Sequence, residues 1–197
     1  MELDEKLDLA CGICRSFFSR GMGSGTSGNM SFMHDGRIYI TASGTCFGFL
    51  RPEDFACIDT DGTIHGDLKP SKELPLHAAL YRHDAACGAV IHIHSTYSVL
   101  WSCLDHENEK DCIPDYTPYL RMKLGSVSLV DYARPGSQDL LEALMRRIDD
   151  SDGWLLRNHG LLVPGKDIMG AFAAAEELEE SCRVAWELRN TSAKLIR

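Results

Sequence analysis

Residues 88–101 read GAVIHIHSTYSVLW. Valine, isoleucine and alanine around two imidazoles describe a buried strand. Side chains alternate along a strand, so His92 and His94 share one face while Ile91 and Ile93 take the other. Two same-face imidazoles, about 7 Å apart along the strand, can converge on one metal ion. A pair of satisfied core histidines is the competing reading, and this stretch alone leaves both open.

The surrounding chain bounds the choices. Its 197 residues are 44% apolar and 25% charged, an ordinary globular mixture. No linker, repeat or low-complexity segment divides it, so residues 1–197 are expected to form a single domain. A net charge of −9 argues against a broad nucleic-acid surface but permits a locally positive pocket for a small anion. The start, MELDEKLDLA, lacks the basic and apolar regions of a signal peptide. No apolar run approaches the roughly 20 residues that span a bilayer, so no membrane association is expected. Of the eight cysteines only Cys11 and Cys14 form a CxxC, and no second pair completes a zinc ribbon. That pair lies in a helical pattern with Leu7, Phe17 and Phe18 and reads as packing, in a reducing cytoplasm.

Residues 3–20 predict an amphipathic helix that stops at GMGSGTSG. NMSFMH and RIYIT flank Asp35-Gly36 as a hairpin, and FACID and GTIHG flank Asp61-Gly62 as a second. A helix over 73–83 tolerates Pro75 in its first turn. SVSLV at 126–130 predicts a strand, 137–148 a helix, WLLRNHGLLVPG two short strands around a turn, and Asp167 caps a helix through 189. The mixture implies an α/β or α+β layered domain.

A metal held by His92 and His94 needs a third protein ligand, with a position left open for substrate. His159, between two apolar runs in LLRNHGLLVPG, is the best distant candidate. His34, His65, His83 and His106 have polar surroundings and read as surface residues. His77, one helical turn after Glu73, reads as support behind the site. Three neutral imidazoles leave the full charge on the ion, a Lewis acid for a carbonyl oxygen. Such chemistry needs a proton carrier, and Glu73 in KPSKELPLH is the choice. Ser71, Lys72 and the helix start beside them can bind an anion. GTSGN (25–29) and TASGT (41–45) combine hydroxyls with glycine, so backbone can approach a phosphate. Turn chemistry explains each segment separately; three together point to a phosphorylated substrate.

In order and spacing, GTSGNMS, ITASG, PSKE, AVIHIHS and NHGLLV resemble the class II aldolase family of the L-fuculose-phosphate aldolase type. The resemblance implies an α/β fold, a three-layer α/β/α sandwich with a largely antiparallel central sheet. It also implies cyclic tetramers with active sites between subunits. It implies His92, His94 and His159 as ligands of Zn2+, or of another divalent ion such as Mn2+, and Glu73 as acid/base. Gly28, Asn29, Ser43, Gly44 and Ser71 match the phosphate loops, and Tyr119 matches a tyrosine that reaches a neighbouring subunit's site. The aldolases and pentulose-phosphate 4-epimerases carry two serines before the glutamate, where this chain has Ser71 and Lys72. LKPSKELPLHAALY, TPYLRMKLG and ARPG look more like the 3-oxo-tetronate 4-phosphate decarboxylases of the same superfamily. The sequence also ends soon after its last expected helix, without the longer aldolase tail, so the tyrosine supplied by that tail is expected to be missing or replaced. The expected reaction is loss of carbon dioxide from a 3-oxo acid to give dihydroxyacetone phosphate. Aldol cleavage and epimerisation are the alternatives on the same scaffold. A non-catalytic module like the adducin head is expected to lack these histidines, and a structural zinc site would not leave coordination open beside an acid.

Overall fold

The computed structural model describes residues 1–196, so Arg197, last in the expected domain, lies outside the described residues. Asp35 and Gly36 take φ of 47° and 75°, the left-handed pair that a two-residue hairpin turn requires. They join β1 (Asn29–His34) to β2 (Arg37–Thr41), as the sequence predicts. β3 (Phe55–Asp59) extends the meander, but β4 is only Ile64–His65, because GTIHG has no apolar side chain that the core takes up; both residues are exposed. β5 (Ala89–Ile93) is buried throughout and pairs antiparallel with both β1 and β8 (Gly160–Gly165). β7 (Gly153–Leu156) and β6 (Val127–Val130) complete an eight-stranded sheet in the order β4-β3-β2-β1-β5-β8-β7-β6. Every pair is antiparallel except β6 with β7, so the sheet is mixed but largely antiparallel.

The strand period sorts side chains to two faces. Ala89, Ile91, Ile93, Leu161 and Val163 join the core built with α1 (Leu3–Ser19) and α6 (Ile168–Leu188). Helix α1 buries Leu7, Cys11, Cys14 and Phe17, so its CxxC is packing, as expected. Helix α6 begins where the Asp167 carboxylate accepts the Gly170 N–H at 2.7 Å. Val90, Trp154 and Leu162 face the other way, against α2 (Leu74–His83) and α5 (Gln138–Met145), while Ile38, Ile40 and Ile58 pack with α2 residues. Two short helices have no periodic signal and are not foreseen: α3 (Thr96–Ser102) and α4 (Tyr119–Lys123). No described helix is long and apolar enough to cross a membrane.

Gly160 opens β8 where the backbones run closest: a Cβ there would overlap the Ile93 carbonyl oxygen. Gly160→Ala should therefore part β5 from β8 and cost on the order of 2–4 kcal/mol. A thermal melt that moves by less than about 3 °C would contradict this.

Candidate active site

β5 and β8 run antiparallel, with Ile93 opposite Leu161 as the last pair, so the end of β5 meets the start of β8. His94 leaves β5 there, and His159 sits in the turn that enters β8, after Asn158 with φ 57°. His92 lies within β5, one pair further in, and is fully buried. The three ring centroids are 4.6–4.8 Å apart in every pairing. His92 Nδ1 is 2.7 Å from the Leu161 carbonyl oxygen, which can only accept. His92 therefore carries its proton on Nδ1 and turns the Nε2 lone pair inward, the tautomer a metal ligand needs.

Glu73 completes the cluster from α2. It occupies the capping position just before Leu74 instead of the first turn, with Pro75 in that turn. Its carboxylate oxygens lie 3.3 Å from His92 Nε2 and 3.4 Å from His159 Nε2. One donor atom from each of Glu73, His92, His94 and His159 falls within 4.8 Å of all the others. Among buried side-chain atoms of the described residues, Glu73 Oε1 and His159 Nδ1 and Nε2 have no hydrogen-bond partner. Buried polar atoms left unpaired are costly and call for a ligand. Three imidazoles and a nearby carboxylate suit a divalent ion, which His92, His94 and His159 could hold.

The electrostatics agree with that donor set. Burial, then the charge of His92, lowers His94 to about 4 and His159 to about 3, so both imidazoles are neutral at pH 7 and free to ligate. Burial pulls the Glu73 carboxyl upward. At the low pH where this carboxyl titrates, protonated His92 and then protonated His159 beside it, with a hydrogen bond from Asn29, outweigh burial and hold Glu73 below the usual range.

A cleft of about 430 Å3 opens onto the cluster. Gly28 and Asn29 line it from one loop, Ser43 and Gly44 from a second, and Ser71 and Lys72 from a third, so all three small-residue segments meet at one place. The loops are tied together: Ser43 N–H donates to Lys69 O at 2.8 Å and Ser71 N–H to Thr41 O at 3.2 Å. Gly28 has φ 85°, and a Cβ there would lie 3.0 Å from the His92 carbonyl oxygen, so only glycine lets this loop pass so near the strand. Ser71 Oγ accepts the Glu73 N–H at 3.3 Å, leaving its own proton for an anion. Lys72 is exposed, and its stem lies against Gly136, where a Cβ would come 2.9 Å from it. Its charge helps to lower His94 and His159.

Tyr119 is not brought to the cleft within one chain; it is 56% exposed at the start of α4. Of the histidines set aside as surface residues, His65 and His83 are exposed, but His34 and His106 are partly buried. His106 Nε2 is 3.0 Å from the Trp101 carbonyl oxygen, a contact that no local pattern announces. His77 supports the site from behind, fully buried, with Nε2 2.5 Å from Asn29 Oδ1. Sequence reasoning missed Glu179 on α6. Its carboxylate accepts from Ser95 Oγ, Tyr97 N–H and Ser98 N–H at 2.7–2.9 Å and anchors the segment that follows His94. Glu179 sits among other acids in EELEES, so nothing local marks it. A larger cavity of about 710 Å3, lined by His83, Lys123 and Trp154 among others, contains none of the cluster residues.

A strand-end cluster of three histidines and a glutamate, beside small-residue loops on a largely antiparallel sheet, describes a candidate metal centre at the end of a cleft. The model of the Class II Aldolase and Adducin N-terminal domain family matches residues 8–186, and the chain belongs to that family. A 3-oxo-tetronate 4-phosphate decarboxylase of Haemophilus influenzae is 36% identical over 190 residues, 96% of this chain and 90% of that protein. An L-fuculose phosphate aldolase of Methanococcus maripaludis is 34% identical over 90% of this chain and 94% of that protein. The crystal structure of YgbL from Escherichia coli superposes with a TM-score of 0.94 at 35% identity, covering 99% of this chain and 95% of that one. By these relatives the chain is a lyase.

His77 generates a pH prediction. Burial first, then the charge of His92, lowers it from 6.5 to about 3 in the folded protein. The unfolded chain therefore binds a proton that the native state refuses. Stability is complete above pH 6.5 and declines as pH falls, by about 1.4 kcal/mol per unit from this residue, until the folded value is reached. Urea unfolding of His77→Gln between pH 6.5 and 4 should show a slope shallower by that amount; identical slopes would contradict it.

Proposed function

We propose that this protein is a divalent-metal carboxy-lyase that converts 3-oxo-tetronate 4-phosphate into dihydroxyacetone phosphate and carbon dioxide. The observation that carries it is the convergence of His92, His94, His159 and Glu73 at the end of a cleft lined by three anion-type loops. The decarboxylase relative supplies the substrate class. An ion on the three histidines, zinc by the all-imidazole donor set, supplies Lewis-acid polarisation of the C3 oxygen. Gly28, Asn29, Ser43, Gly44 and Ser71 hold the phosphate and so orient the sugar acid along the cleft. The C1–C2 bond breaks, its electron pair passes toward the C3 oxygen, and carbon dioxide leaves. Glu73 takes a proton from water and delivers it to C2, which yields the ketone product. Its ionised resting state makes it a proton acceptor first and a donor second.

Lys72 is read as the extra cation for the second anionic end of this substrate; an aldolase ketose phosphate has only one. The stem packed on Gly136 favours that role over a freely solvated lysine. The aldolase relative keeps aldol cleavage as the second reading, since both reactions leave the same enediolate. An adducin-like module would have no use for the unpaired buried atoms of Glu73 and His159.

The same reading takes residues 1–197 as one domain, supported by the single continuous sheet, and the helices on both its faces support a three-layer α/β/α sandwich. It takes the active form as a cytoplasmic homotetramer with sites at subunit interfaces, where the exposed Tyr119 serves a neighbour. Light scattering of the active protein decides the last point, and an active monomer would remove it.

Incubating the metal-loaded protein with 3-oxo-tetronate 4-phosphate should release carbon dioxide and dihydroxyacetone phosphate. Cleavage of a ketose phosphate with no carbon dioxide from the oxo acid would hand the assignment to the aldolase reading. Glu73→Gln should keep its metal but lose kcat by about 10²–10⁴, the usual worth of acid–base catalysis, whereas His159→Ala should lose metal and turnover together. Full turnover in Glu73→Gln ends its role. Lys72→Ser should raise KM more than it lowers kcat, because a group that holds the ground state and transition state equally does not speed the chemical step. Unchanged kinetics would return Lys72 to solvent.

A further inference from the structure

Behind Glu73 a chain of polar side chains starts at Asn29, at the edge of the cleft, and runs inward through Ser31, His77 and Tyr81, which the proposed reaction does not use. Asn29 Nδ2 is 2.9 Å from Glu73 Oε2, and Asn29 Oδ1 is 2.5 Å from His77 Nε2. His77 Nδ1 is 2.7 Å from Ser31 Oγ, which is 2.7 Å from the Tyr81 hydroxyl. Asn29, Ser31 and His77 are all buried. The two strand residues come from β1, paired to β5 with Asn29 opposite His92 and Ser31 opposite Val90. His77 and Tyr81 come from α2, one turn apart, the helix whose start carries Glu73.

Donor and acceptor roles in this chain follow from one end. A carboxylate only accepts, so the Asn29 NH2 must face Glu73 and its carbonyl oxygen must face His77. A carbonyl oxygen only accepts, so His77 must carry its proton on Nε2. Nδ1 then has a lone pair, which the Ser31 hydroxyl proton fills. Ser31 has no second proton, so Tyr81 donates to it. Every bond points the same way, from Tyr81 through Ser31, His77 and Asn29 to Glu73. The other tautomer would set two acceptors, His77 Nε2 and Asn29 Oδ1, against each other inside the core, and a ring flip would put C–H groups where both nitrogens bond; each costs about 1–3 kcal/mol.

We propose that His77 is a positioning residue: as the neutral Nε2–H tautomer it locks the Asn29 carboxamide so that its NH2 faces Glu73, and thereby fixes where that carboxylate stands against the histidine cluster. Asn29 alone does not do this. Its amide is nearly symmetric in shape, and turned by half a rotation it would present oxygen to oxygen and push Glu73 away. The lock leaves the second Asn29 N–H free and keeps Glu73 Oε1, the oxygen without a partner, on the His159 side. The assignment goes beyond the proposed reaction but rests on Glu73 as its proton carrier for the effect on turnover; the orientation itself does not depend on the reaction.

Two measurements separate these. In zinc-loaded protein labelled with 15N at histidine and asparagine, long-range proton–nitrogen correlation should show His77 with a protonated Nε2 and a bare Nδ1, unchanged from pH 6 to 8. The Asn29 side-chain amide should be shifted by hydrogen bonding. A protonated Nδ1, or a charged ring, would overturn the proposal whatever the enzyme does. Glutamine can place an amide nitrogen near the imidazole Nε2 position, whereas asparagine reaches only the Nδ1 position. His77→Gln should therefore keep kcat within about 3-fold, while His77→Asn loses roughly 10–100-fold, as supporting groups behind metal sites do. KM and metal content should stay as in the wild type for both. Equal losses in both variants, or losses that track the melting temperature, would show a merely structural histidine and overturn the proposal. If no variant or wild type decarboxylates the oxo acid, the functional reading fails, and the tautomer and the Asn29 resonance still decide the lock.

Discussion

The antiparallel pairing of β5 with β8 is the constraint on which the cleft depends. It brings the C-terminal end of one strand to the N-terminal end of the other, so His94 and His159 meet although 64 residues intervene between them in the sequence. Parallel pairing would have put the two histidines at opposite ends of the ladder, about 16 Å apart for a five-residue strand. The register matters equally. A slip by one residue would turn His92 into the α1–α6 core and Ile91 or Ile93 into the cleft. The large apolar residues flanking His92 hold that register, because each has a full core waiting on its own face.

The cluster works against the stability of the fold that holds it. Taking a carboxylate out of water costs several kcal/mol unless it is paired, and unpaired nitrogens beside it add to that. The structure limits the cost in two ways. Burial keeps His94 and His159 neutral, so neither strands a cation, and Asn29 donates to the carboxylate of Glu73. What is left unsatisfied is the part an ion would complete. This is the pattern of a site kept for chemistry and supported by packing elsewhere.

Support for the site comes from both faces of the sheet. From one side α2 brings Glu73 with its polar chain. From the other, Glu179 of α6 caps α3 and fastens the backbone just beyond His94. The three histidines sit on or beside strands, whereas the anion-type segments are loops, one of which passes close to β5 at Gly28. Rigid strands aim the imidazoles, and loops that are bonded to one another shape the cleft.

What the sequence by itself determined is what local spacing can carry. The period-two run GAVIHIH, the Asp35-Gly36 turn, the Asp167 cap and the apolar stripe of α1 each announce their element, because each depends on neighbours within a few residues. The same-face relation of His92 and His94 is local too, and the loops rich in glycine and hydroxyls declare their backbone freedom directly. Contacts across the fold carry no such trace. That His77 holds Asn29 and that Glu179 caps α3 depend on partners brought close only by sheet pairing and helix docking. The tertiary structure alone decided these, because a hydrogen bond is set by the position of two groups in space, and for these groups sequence separation says nothing of that distance.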